Sequence, residues 1–199
     1  MSSTSPRLLI ISGSARTGSL TRRLAHAASL AATQAGFSAQ ELDLRALALP
    51  VYDGDFELAQ GIPAGATELQ QALLASDALL LLTPEYNGFP TPLFINAFDW
   101  LSRIQGGAGQ PSGVAATANK PTALLSASPG ALGGLRALNY VRQFLQMNFA
   151  SLVIPQQFAL GHAADAFDAE GGLKEERNRQ AVQGVLDALA QLSRAVRPA

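Results

Sequence analysis

Apolar positions along the chain follow two rhythms. Short continuous runs, Leu8–Ile11, Ala78–Leu82, Thr122–Leu125 and Leu152–Ile154, read as strands. Continuous rather than alternating hydrophobicity means burial on both faces, the mark of a parallel sheet, and Ala78–Leu82 is its most central strand. Gln40-Glu41-Leu42-Asp43-Leu44 alternates and reads as a more exposed strand. Between these runs apolar residues recur at helical spacing. The first helix runs from about Ser19, an N-cap, to near Gly36, with Leu20, Leu24, Ala27, Ala28 and Ala31 on one face. A second spans about 64–75 with Leu69, Leu73 and Leu74 inward. A third starts at Thr91 (N-cap) and Pro92, and repeats Phe94, Ala97, Phe98 and Leu101. A fourth covers roughly 135–149 on Leu138, Val141 and Leu145, and a last one 173–196 on Val182, Val185, Leu186, Leu189 and Val196.

Strand and helix thus alternate five times, which predicts an α/β three-layer sandwich on a five-stranded parallel sheet. The chain forms a single domain, 1–199, with residues 1–6 and 197–199 as loose ends. Residues 45–63 suit a long ordered loop, 105–119 a flexible surface loop and 162–172 a polar loop. In strand order 2-1-3-4-5 a ligand sits beyond the strand C-termini, where the order reverses between strands one and three. Three segments rich in glycine, hydroxyl and proline lie at such ends: 12–21, 84–91 and 126–134.

Composition narrows the chemistry. Among 199 residues, 48% are hydrophobic and 15% charged, which fits a folded core and not a disordered chain. The net charge of −1 and the lack of a basic block give no sign of nucleic-acid binding. There are no cysteines, so disulfides, thiolate metal sites and cysteine redox chemistry are excluded. The two histidines, His26 and His162, stand far apart in no metal-binding spacing and read as surface residues. Any redox activity must come from a bound organic cofactor. The apolar runs are too short to span a bilayer and the N-terminus has no apolar targeting core, so the expectation is a soluble, cytoplasmic protein without a membrane partner.

The loops suggest what that cofactor is. Loop one places Ser14, Arg16, Ser19 and Thr21 at a helix N-terminus, where free N–H groups and the helix dipole favour an anion. Arg16 adds a planar fork suited to phosphate, and Gly13 and Gly18 allow close approach and positive φ. Neither a Walker loop nor a G-x-G-x-x-G pattern is present, and an ordinary capped strand-to-helix turn is the plain alternative. In loop two, Pro84 restricts the backbone, Tyr86 offers a flat face, and Asn87-Gly88 tolerates left-handed φ. Loop three, Ser126 to Gly134, offers backbone donors and little bulk. A phosphate seat beside amides that can edge a flat heterocycle has the shape of flavin mononucleotide.

Three motifs, GSARTGSLTRRL, TPEYNGFPTPLFINAFDWLSR and ASPGALGGLRALNYVRQFL, match in order and spacing, and LPVYDGDFE adds a fourth. In them the chain resembles the NAD(P)H-dependent FMN reductases, flavodoxin-like enzymes that include quinone, azo-dye and chromate reductases. The resemblance implies FMN as cofactor, NADPH or NADH as co-substrate, a small-molecule electron acceptor, and a homodimer or dimer of dimers built partly on the helix carrying Asp99 and Trp100. It implies that Ser14, Arg16, Ser19, Leu20 and Thr21 hold the phosphate, with Thr21 where asparagine is usual. Pro84, Glu85, Tyr86, Asn87 and Gly88 would run along the isoalloxazine, with Glu85 structural through its backbone or at a subunit contact rather than a base, and Ser128 and Gly130 would approach the ring edge. Ile95 replaces a usual lysine, which points to an altered surface or subunit contact. The Gly-rich stretch 105–118 exceeds the family norm and would change substrate choice if it folds over the site. Arg136 and Arg142 read as exposed helix charges, with nicotinamide dinucleotide phosphates as their alternative partners.

The implied reaction is ping-pong electron transfer from reduced nicotinamide through FMN to flavin, quinone, azo or metal-oxyanion acceptors. A flavodoxin-type carrier that does not use NAD(P)H directly is the rival, and a non-catalytic flavin binder a third reading. Carriers steer partners with a strong acidic field, which a net charge of −1 does not supply.

Overall fold

The structure is a computed structural model and describes residues 5–196. Five strands, β1 (Arg7–Ser12), β2 (Ser38–Asp43), β3 (Ala78–Thr83), β4 (Pro121–Ala127) and β5 (Leu152–Leu160), form one parallel sheet in the order β2-β1-β3-β4-β5. Six α-helices connect and close it: α1 (Leu20–Ala32), α2 (Gly54–Gln60), α3 (Ala64–Leu74), α4 (Pro92–Arg103), α5 (Leu135–Asn148) and α6 (Glu176–Val196). Leu8, Ile10, Leu80 and Leu125 pack under α1 and α6, while Leu9, Ile11, Leu79, Leu81 and Leu124 pack under α3, α4 and α5. Helices therefore cover both faces, and every residue of β3 and β4 is buried. The continuous apolar runs have this cause: period-two alternation is invisible when both sides are core.

Several boundaries differ from the sequence expectation. Residues 45–63 contain α2, capped by Asp53 at its start and closed by Gly61 at φ +75°. No residue of α2 is buried, so it carries no apolar stripe by which to detect it. β5 runs to Leu160 because its pairing with β4 skips from Val153 to Gln157. Pro155, which has no N–H, is accommodated in that irregularity. α6 begins at Glu176, since Leu173 is committed to a bridge with Phe167, and the carbonyls of Leu173 and Lys174 are taken by Arg179. α1 ends at Ala32, and turns from Thr33 carry the chain to Gly36. Leu74 and Val196, expected inward, are exposed.

Residue 6 is not a loose end: Pro6 is buried and its carbonyl accepts the Ser38 N–H at 2.9 Å. The expectation for residues 1–4 and 197–199 lies outside the described residues. The Gly-rich stretch is ordered and stands away from the strand C-termini. Gly107 and Gln110 bridge each other, Gln70 Nε2 donates to the Pro111 carbonyl at 2.8 Å, and buried Thr117 donates to the Phe149 carbonyl. It leads into the N-terminal end of β4 and does not cover the loops at the other end. Among the described residues no helix is long and apolar enough to cross a membrane.

Candidate active site

Loop one leaves β1 at Ser12 and is pinned at once. Gly13 N–H donates to the Leu82 carbonyl at 2.8 Å, and its own carbonyl accepts the hydroxyl of Thr91, the α4 N-cap. A Cβ on Gly13 would stand 3.2 Å from Thr91 Oγ1 and 3.3 Å from Phe94 Cβ. Smallness is what this position requires; the positive φ is at Gly18, +68°, and not at Gly13. Ser14 and Ser19 are buried, and each hydroxyl accepts a local N–H, from Arg16 and Arg22 respectively, both at 3.4 Å. Both hydroxyl protons stay available for an external acceptor. At the start of α1 the Arg22 and Arg23 N–H groups go to Ser19, which leaves those of Leu20 and Thr21 for a ligand.

Loop two is a two-residue hairpin. Tyr86 and Phe89 exchange backbone hydrogen bonds at 2.9 and 3.0 Å across Asn87 (φ +54°) and Gly88 (φ +86°). Asn-Gly is the pair that accepts two successive left-handed residues. Tyr86 is left half exposed, and across the hairpin Phe89 stacks on Tyr140 with centroids 4.4 Å apart. Glu85 turns the other way. Its carboxylate accepts from Arg136 Nε at 2.8 Å and from Arg136 Nη2, and it takes the Ala137 N–H at 3.3 Å in the first turn of α5. Burial pushes its carboxyl up, but the hydrogen bonds from Arg136 and Ala137 and the guanidinium charge outweigh burial and hold it below the ordinary glutamate value. Arg136 is thus committed to Glu85. Arg142 is no plain exposed charge either: it donates to the carbonyl of Ile154 at 2.7 Å and to Gln157 Oε1 at 2.8 Å, clamping β5.

Loop three folds on itself. Ser128 Oγ accepts the Gly130 N–H at 3.2 Å, and the Gly130 carbonyl accepts from Gly133 and His162.

The three loops enclose one cavity of about 570 Å³. Ser14, Arg16, Ser19, Leu20 and Thr21 line it from loop one, Pro84, Glu85 and Tyr86 from loop two, and Ser128 from loop three. Asn87, Gly88 and Gly130 do not line it: the first two form the turn that presents Tyr86, and Gly130 shapes the backbone behind Ser128. Gly18, Ala127, Pro129 and Ala164 also reach the cavity. Gly18, Ala127 and Pro129 sit inside loops already singled out, whereas Ala164, on a short 3-10 turn in 162–172, carries no sequence signal.

Two features fit this cavity to a phosphorylated ligand. Arg16 is exposed and makes no ion pair among the described residues. Among the described residues Thr21 Oγ1 is buried with no hydrogen-bond partner, as are Ser12 Oγ and Ser126 Oγ at the ends of β1 and β4. An unpaired buried hydroxyl costs about 1–3 kcal/mol, a deficit that a ligand oxygen beside Thr21 would remove. Among the described residues no group of histidine, aspartate and glutamate could hold a metal.

Trp100, on the helix that the resemblance places at a subunit contact, is fully buried. Its Nε1 donates to the Pro50 carbonyl at 2.8 Å, and Tyr52 and Phe56 pack edge-on against its ring. Asp99, next to it, is partly exposed, and burial raises its carboxyl above the ordinary value. His26 and His162 are exposed, as expected.

The chain is 33% identical over 183 residues to an NAD(P)H-dependent FMN reductase of Pseudomonas aeruginosa, covering 92% of both. It is 35% identical over 192 residues to a quinone reductase of Pseudomonas putida, covering 94% of this chain and 96% of the other. Among solved structures it superposes on FerB, a flavoenzyme NAD(P)H:(acceptor) oxidoreductase of Paracoccus denitrificans, with a TM-score of 0.79, 26% identity, and coverage of 96% and 98%. The sequence profile described as NADPH-dependent FMN reductase matches residues 6–165, a span that holds all three loops. The chain therefore belongs to the NADPH-dependent FMN reductase family.

Proposed function

We propose that the protein binds FMN in the three-loop cavity and uses it to pass electrons from NAD(P)H to small-molecule acceptors, quinones foremost. The observation that carries this reading is the convergence of Arg16, Thr21, Tyr86 and Ser128 on one cavity at the C-terminal edge of the sheet. When bound, FMN supplies the redox chemistry, taking a hydride from reduced nicotinamide and releasing electrons to an acceptor. The chain's residues bind and orient. Leu20 and Thr21 N–H groups, the Ser14 and Ser19 hydroxyls and Arg16 hold the phosphate; Pro84 to Tyr86 flank the ring; Ser128 and its neighbouring amides meet its edge. Glu85 acts as no base, because its carboxylate is engaged by Arg136 and the α5 N-terminus.

Tyr86 is half exposed beside the cavity, and the reductant and the acceptor would both approach the ring there, in turn. That order is ping-pong. Initial rates over a grid of NADPH and quinone concentrations should give parallel double-reciprocal lines, and intersecting lines would contradict the order. Turnover without any partner protein separates this enzyme from an electron carrier.

Oligomerisation belongs to the same reading. Phe89, Ile95, Tyr140 and Met147 line an apolar groove of about 410 Å³ between the hairpin, α4 and α5. Ile95, where the family pattern has lysine, makes that face more apolar, in keeping with a homodimer or dimer of dimers. The cytoplasm is the compartment that supplies reduced nicotinamide to such an enzyme.

A further inference from the structure

Loop one separates two hollows. Gly18 and Ser19 line the three-loop cavity on one side and, on the other, a pocket of about 410 Å³ lined also by Thr17, Arg22, Arg23, His26 and Gly171. Ser19, Arg22, Arg23 and His26 recur at three- and four-residue spacing, so one face of α1 presents them together.

Charge around this wall is lopsided. Arg45 Nη1 donates to the Ala15 carbonyl at 3.1 Å, which adds a guanidinium to those of Arg16, Arg22 and Arg23 about the same loop. Arg22 pairs with Asp43 at 3.0 Å, and His26 faces Glu41 at 3.6 Å. Arg16 and Arg23 have no carboxylate partner among the described residues. Arg23 lies over the Phe167 ring, 4.4 Å from its centroid, a contact that positions the guanidinium without neutralising it. In a chain of net charge −1 this is a local positive surplus. A flavin phosphate in the three-loop cavity would meet Arg16 and leave Arg23, on the far side of the wall, without a carboxylate partner among the described residues.

We propose that the pocket behind loop one is a second phosphate subsite, taking the phosphate of an adenine nucleotide on Arg23 and Arg22. The inference rests on loop one being the flavin phosphate seat. Two nucleotides could bring such a group: FAD, through its second phosphate, and NADPH, through the 2′-phosphate that NADH lacks.

The test compares Arg23→Gln with the unaltered protein. Apoprotein is titrated with FMN and with FAD, and FMN-loaded protein is assayed with NADPH and with NADH. The subsite predicts FMN affinity within about twofold of the original and a loss of about three- to fivefold in one ratio, the upper end expected for a partly exposed charge pair. A fall in FAD affinity relative to FMN assigns the subsite to the flavin dinucleotide. A rise in the KM of NADPH relative to NADH assigns it to the reductant. Arg23→Lys, which keeps the charge, should recover part of the loss. Both ratios unchanged, or all four ligands weakened by one factor, would overturn the subsite. Failure of the unaltered apoprotein to bind FMN would instead remove the phosphate seat and the subsite with it.

Discussion

Thr21 shows how a single side chain ties stability to ligand binding. Its hydroxyl is buried and has no hydrogen-bond partner among the described residues. Thr21→Val keeps the shape and removes the polar atom. Without ligand the variant should be as stable as the parent or more stable by up to about 1 kcal/mol, because an unpaired buried hydroxyl only costs. With ligand the same change should weaken FMN by about ten- to a hundredfold, the loss of one hydrogen bond to a charged group. Thermal melts of the apoprotein and flavin titration check the two halves. Equal FMN affinity in both proteins would show that Thr21 does not meet the phosphate. Residue identity alone made Arg16, Ser19 and Thr21 readable, since a hydroxyl-rich turn opening a helix implies an anion. The direction of Glu85 was not readable: whether a carboxylate faces the ligand or a neighbouring helix depends on Arg136, 51 positions away in the chain.

At the scale of elements, two clasps hold the site's surroundings. Glu85 ties loop two to the first turn of α5. Its carboxyl lies below the ordinary glutamate value, so the stability it adds is present above the unfolded value of about 4.3 and is lost as pH falls through the lower folded value. Glu85→Gln should lower Tm by about 2–4 °C near pH 7, with the gap to the parent protein closing as the solution is acidified. A gap independent of pH would mean that the carboxylate charge contributes nothing.

The second clasp is Asn96, whose side chain accepts the Tyr52 N–H at 2.7 Å and donates to the Pro50 carbonyl at 2.8 Å. It anchors the segment that leads into α2, a helix with no buried residue of its own. Asn96→Ala leaves the Tyr52 N–H unpaired and the Pro50 carbonyl with Trp100 Nε1 alone. It should raise hydrogen exchange across 50–60 by about tenfold or more while the sheet stays protected. Unchanged exchange there would show that the Trp100 contacts suffice. The reason α2 escaped detection is the same reason it depends on Asn96: a helix held by its ends and by Tyr52, Phe56 and Glu57 against α4 has no apolar stripe to read.

Over the whole molecule, the fold was the most legible feature. Core-buried strands demand apolar residues on both faces, and helices between them demand a 3.6-residue stripe, so β1, β3, β4 and the helices α1, α3, α4, α5 and α6 could be located from pattern alone. β5 was cut short by Pro155 and two glutamines, residues that a sheet edge tolerates and a core strand does not. The site was legible as three loops but not as a surface. Which residues line the cavity depends on how each turn closes, and so Asn87, Gly88 and Gly130 stand behind it while Ala164 reaches it from a later segment. The placement of the Gly-rich stretch was left open for a related reason: composition told of a loop but not at which end of the sheet it would lie.

The central claim is that these loops seat a flavin that reduced nicotinamide can reach. The absorbance spectrum of the purified protein, loaded with FMN and titrated with NADPH under nitrogen, tests it most directly. The account predicts a protein-bound band near roughly 450 nm, as for any oxidised flavin, that bleaches on the addition of about one equivalent of NADPH. A protein that retains no FMN through gel filtration, or a bound band that NADPH leaves unchanged, would contradict it.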